Sequence, residues 1–110
     1  MAEFTNPWVV MTPGRKLNTR ELTRALRLSI TAEHEAVHLY EVLADATDNA
    51  VAKAVLQDVA NEERVHVGEF QLLVKMLVPD ESELLSEGEA EVEEIAEKVK
   101  QGKGAATAAE

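Results

Sequence analysis

The chain has 110 residues, with 21 acidic against 11 basic ones and a formal charge of -10. That size suggests one small domain, and that charge excludes a nucleic-acid binder or a module docking on anionic lipid, both of which need clustered Lys and Arg. The lack of cysteine removes disulfides, zinc–thiolate sites, iron–sulfur clusters and thiol catalysis.

Apolar residues make up 45% of the chain, enough for a core, while 4% aromatics and five glycines lean toward helices. No run approaches the roughly 20 apolar residues of a membrane span. The first residues lack the basic-then-apolar order of a signal peptide, so a cytoplasmic, membrane-free location is expected.

Residues 1–18 are a poor helix, interrupted by Pro7, Pro13 and Gly14. They read either as an extended arm packing on a neighbour through Trp8 or as a loose terminus. Asn18 followed by Glu21 has the spacing of a capping box, so a first helix is predicted from Asn18 or Thr19 to about Ala46. Thr47 or Asp48 is the expected cap of a second helix, which runs from about Asn49 to Val78 and is stopped by Pro79. A weaker third helix follows, from Asp80–Ser82 to about Gln101, with Gly88 a soft spot. A Gly/Ala-rich tail covers 102–110. No strand pattern or solenoid repeat is present.

The expected fold is all-α: residues 19–78 form an antiparallel two-helix hairpin, and 79–101 form a short acidic helix. One hairpin with helices about 42 Å long cannot bury both of its faces, which predicts pairing into a four-helix bundle.

Polar residues interrupt the apolar seams. Helix one shows a seam at Leu22, Leu26, Ile30, Glu33, Val37, Tyr40 and Ala44. Helix two shows one at Leu56, Val59, Glu63, His66, Phe70, Leu73 and Leu77. An unpaired carboxylate in a dry core costs several kcal/mol. Either these groups neutralise one another or a cation does so. The spacing favours the cation: Glu63 and His66, three apart, form the Glu-x-x-His of carboxylate-bridged di-metal bundles. Glu33 adds a carboxylate from the facing helix, and this oxygen and imidazole donor set suits iron or manganese. Tyr40, seven residues past Glu33, reads equally as a plain core aromatic or as a hydroxyl supporting a ligand. Glu35 turns about 200° from Glu33 and, with Glu62 and Glu69, is expected on the rim, where carboxylates could pass cations inward. His34 and His38 fall off the seam and should face solvent. The acidic run from Glu81 to Glu97 reads first as a solvated helix face, and second as a field attracting iron.

A complete di-iron bundle uses four carboxylates and two histidines. This chain supplies two carboxylates and one histidine, half a site, which a two-fold-related copy would complete.

Residues 21–78 resemble the encapsulated ferritins, ferritin-like proteins of encapsulin nanocompartments. The likeness rests on Ala32-Glu-His-Glu-Ala-Val-His-Leu-Tyr-Glu41 and Val59-Ala-Asn-Glu-Glu-Arg-Val-His-Val-Gly-Glu-Phe70. It is strongest toward the ferritin-like domain fused to some archaeal encapsulin shells. The resemblance implies two-helix hairpins that form a ferroxidase centre between two subunits, with two irons per interface. It implies a ring, typically of ten chains, that oxidises Fe(II) with oxygen or peroxide and depends on an encapsulin shell to hold mineral. The family's ligands fall on Glu33, Glu63 and His66, its supporting tyrosine on Tyr40, and an acidic residue of a metal-uptake site on Glu35. Leu39 and Ala32 depart from the family's tryptophan and second uptake carboxylate. The tail does not look like its shell-targeting peptide. Two rival functions stand beside ferroxidase: a peroxide reductase of the rubrerythrin kind, and a non-enzymatic assembly module whose Glu and His fix register.

Overall fold

The computed structural model describes residues 14–102. It contains three helices: α1 (Thr19–Asp45), α2 (Ala50–Leu77) and α3 (Glu81–Gly102). No strand occurs among the described residues, and no helix among them is long and apolar enough to cross a membrane. The readings made for Trp8 and for the tail beyond Gly102 lie outside the described residues. Gly102, expected in the tail, ends α3.

The start of α1 is fixed by side chains. The Glu21 N–H donates to Asn18 Oδ1 at 2.8 Å, and the Asn18 N–H donates to Glu21 Oε1 at 3.0 Å, which closes the capping box. Arg15 then grips both Glu21 oxygens at 2.8 Å each. That fork, together with the Asn18 amide, lowers the Glu21 pKa to about 2.

The cap of α2 differs from expectation. Asn49 takes it, accepting the Ala52 N–H at 2.9 Å, while Thr47 Oγ1 accepts the Asn49 N–H and tightens the loop. Asn is as good a cap as Ser or Asp, and at Asn49 it stands where the chain leaves the turn. Lys53 donates to the Ala44 carbonyl, satisfying one of the acceptors left open at the end of α1.

Among the described residues, 14–78 form one compact unit and 79–102 another. In the first, α1 and α2 pack along their length. Lys53 meets Ala44 beside the loop, and Glu63 and His66 meet Glu33 mid-helix, the order of an antiparallel pair. The α1 seam lies as read from Leu26 on, with Leu26 and Ala44 buried and Ile30, Val37 and Tyr40 half-buried; at its start Leu22 is exposed, and Thr23 and Ala25, off the seam as read, are buried. The α2 seam is rotated from the reading. Its buried line is Ala60, Val67 and Val74, with Leu56, Glu63, Phe70 and Leu77 beside it, whereas His66 and Leu73 are exposed. Both registers alternate three and four, so spacing alone could not separate them. The structure selects the line that contains an alanine: Ala60 is fully buried and lets the helices approach. An Ala60→Leu variant should unfold in urea with about 1–3 kcal/mol less stability, with helicity kept, because the close approach has no room for three more carbons.

In the second unit, α3 carries Glu81 and Glu83 in its first turn, where the helix dipole favours anions. None of its residues is buried, and the helix continues through Gly88.

Candidate metal centre

The middle of the hairpin gathers Glu33, Glu63 and His66, with one donor atom from each within 4.8 Å of the others. Helix α1 supplies Glu33 from its packed face. Helix α2 supplies Glu63 and His66 one turn apart, so both project toward Glu33. His66 Nδ1 lies 3.1 Å from Glu63 Oε1 and 3.6 Å from Glu33 Oε2. The carboxylates are largely sheltered, at 20% and 19% side-chain exposure, but His66 is 47% exposed. The cluster is walled by the hairpin on one side and open on the other.

Its charges are strained against one another. Glu33 holds its proton above the ordinary 4.5, first through a hydrogen bond shared with Glu63, then through lost water contact and the Glu63 charge. Glu63 is lowered, first by the hydrogen bond from Glu33, with His66 adding to it. The His66 pKa is raised above 6.5, first by its hydrogen bond to Glu63; the charges of Glu33, Glu63 and Glu69 add to this. Without a cation, Glu33 and His66 thus each hold a proton more tightly than usual. A divalent cation would take the place of both, so the donor set fits one.

The sign for stability follows. His66 binds its proton more tightly when folded, so its contribution is present below pH 6.5 and fades as pH rises through the elevated value. Glu63 acts the other way: its contribution is present above 4.5 and is lost as pH falls through its lowered value. In cation-free protein, the His66 imidazole followed by NMR should titrate above 6.5, and its pKa should drop toward 6.5 in Glu63→Gln.

The other sequence candidates lie outside the cluster. Tyr40 is half-buried on the Glu33 side of α1, and among the described residues no hydrogen bond ties its hydroxyl to the three donors. Glu35 is exposed, as are Glu62 and Glu69. His34 and His38 are exposed, as expected.

Comparison with known proteins places this geometry. A sequence-family model described as Rubrerythrin matches residues 24–106. The solved structure of an encapsulated ferritin domain from Pyrococcus furiosus superposes with a TM-score of 0.73 at 34% identity, covering 86% of this chain and 94% of that one. The chain belongs to the encapsulated ferritins. Among curated proteins, this encapsulated ferritin is 46% identical over 78 residues to the encapsulin nanocompartment cargo protein EncC of Myxococcus xanthus. It is 43% identical over 75 residues to a ferritin-like–encapsulin shell fusion protein of Pyrococcus furiosus. The matches cover 71% and 68% of this chain, but only 59% and 22% of those relatives. The all-helical, ferritin-like fold expected from the sequence is therefore borne out.

Proposed function

We propose that this encapsulated ferritin is a ferroxidase. Two copies face each other across the open side of the hairpin, and Glu33, Glu63 and His66 of each complete a site for two Fe(II) ions. One observation supports this most: three donors converge from two helices, yet the third, His66, is left half in water on an unfinished side. A ferritin-like bundle needs four carboxylates and two histidines, and doubling this set gives that count.

The open side is also apolar. On α2, Val59 and Leu73 stand seven residues either side of His66 and share its flank. On α1, Leu39 and Leu43 are about half exposed on the flank that antiparallel packing turns the same way. A second hairpin would cover these residues and supply the missing ligands together.

The chain's contribution is positional and electrostatic. Glu33 and Glu63, as carboxylates, hold positive charge and favour the ferric product over the ferrous substrate. His66 turns Nδ1 toward the same point and binds once it loses its proton. The apolar flanks exclude bulk water. Iron is the substrate, giving one electron per ion to oxygen or peroxide. The charge of -10 favours cation arrival. Glu35 on the exposed side of α1 would serve uptake, and Tyr40 would stiffen the ligand side. By analogy with the cargo relative, the assembly, a ring of such pairs, would work inside an encapsulin nanocompartment in the cytoplasm and pass Fe(III) to storage there.

The family match favours a second reading, a rubrerythrin-like peroxide reductase. This stretch has no cysteine for an on-chain rubredoxin centre, so that activity would need an external reductant. Aerobic Fe(II) oxidation, followed by ferric absorbance, tests the choice. The ferroxidase reading expects turnover with oxygen alone. Turnover only with peroxide and a reductant supports the second reading.

A further inference from the structure

The polar flank of α1 carries two histidines that the carboxylate centre does not use. Residues 34–38 read His-Glu-Ala-Val-His, two histidines four apart with a glutamate after the first, in the middle of a 27-residue helix. Four residues make just over one turn, so the two imidazoles stand one above the other, with Cβ atoms about 6 Å apart. Both are exposed, and among the described residues neither has a hydrogen-bond or ion-pair partner. His34 follows Glu33 in sequence but is turned about 100° from it around the helix, away from the Glu33–Glu63–His66 cluster. Glu41, three residues past His38 on the same flank, is half-buried, and its carboxylate does not gather with the two imidazoles.

We infer that His34 and His38 form a separate divalent-cation site, of the class that prefers imidazole: zinc, with nickel and copper behind the same chemistry. Two histidines at this spacing on a preformed helix chelate one metal ion with little further ordering, each through one ring nitrogen at about 2.0–2.1 Å. The same five-residue spacing serves metalloproteases, where it lines a substrate cleft and a further protein ligand completes the zinc site. Here both histidines are exposed on the helix surface, and a binding role alone is inferred. The two sites differ in donor chemistry: the carboxylate-rich centre suits iron or manganese, whereas the paired imidazoles suit zinc.

The test is zinc titration by calorimetry of the full chain. The chain has three histidines, so a His66→Ala background leaves this pair as its only imidazoles. That variant should bind one zinc per chain, and adding His34→Asn and His38→Asn should abolish the binding. His34→Asn and His38→Asn in the parent should lose one zinc per chain while Fe(II) oxidation stays within about twofold. Each single change should weaken binding by at least about tenfold, because one imidazole is no chelate. Equal zinc uptake with and without the pair, with helicity unchanged by circular dichroism, overturns the site. The zinc result stands whether or not the chain oxidises iron, so the two proposals fail separately.

Discussion

Glu63→Ala is expected to reduce Fe(II) oxidation by more than roughly 100-fold, down to the rate of iron in buffer. Glu63 acts on both other donors: it hydrogen-bonds His66 at 3.1 Å, and its hydrogen bond is the first cause of the raised Glu33 pKa. Its loss removes one carboxylate and leaves the remaining two groups unpositioned. Losing a partner outside the ligand shell costs about 10–100-fold in metalloenzymes, and losing a ligand should exceed that. Glu33→Ala and His66→Ala should approach the same floor, without adding in the double variants, because the three act as one unit. Glu33 and Glu63 are largely sheltered between the helices, so the fold of each variant is checked by circular dichroism before its activity is read. Oxidation at the parent rate in all three variants would remove the ferroxidase reading.

The second large effect requires no ligand change. Leu73→Glu and Leu43→Glu place carboxylates on the open flank, seven residues from His66 on α2 and ten from Glu33 on α1. In a lone hairpin both positions are already exposed, at 43% and 44%, so the folded monomer tolerates them. In a pair of hairpins each charge would be buried without a partner, at several kcal/mol. The expected outcome is loss of association, seen as a fall in mass by light scattering, together with loss of Fe(II) oxidation. Retained oxidation by a monomer would show that one hairpin suffices.

The three helices and the convergence of Glu33, Glu63 and His66 were legible in the sequence, and the reasons are largely local. Asn18 with Glu21 marks a helix start through two reciprocal hydrogen bonds that any reader of spacing can find. Glu63 and His66 are tied by one turn of helix, so their meeting needs no tertiary knowledge. Placing Glu33 opposite them took the hairpin register, which the short loop sets. The rotation of α2 was not legible. Two lines of apolar residues, one through Ala60 and one through Val59, have the same period, and only the packed pair distinguishes them. That rotation carries functional weight, since it leaves His66 on the open flank rather than in the hairpin core. The loop cap was missed because Thr47, Asp48 and Asn49 are all good caps, and the turn geometry decides among them. The His34–His38 pair was visible as sequence, but it gained weight only once both rings proved exposed and unengaged.

The claim on which the account rests is that one chain holds half a metal centre. Native mass spectrometry with anaerobic Fe(II) tests it most directly. The account predicts even-numbered assemblies that take up two iron ions per pair of chains at the carboxylate centre, with that uptake lost in Glu63→Ala. Iron bound at the same ratio by single chains, or uptake unchanged in Glu63→Ala, would contradict it.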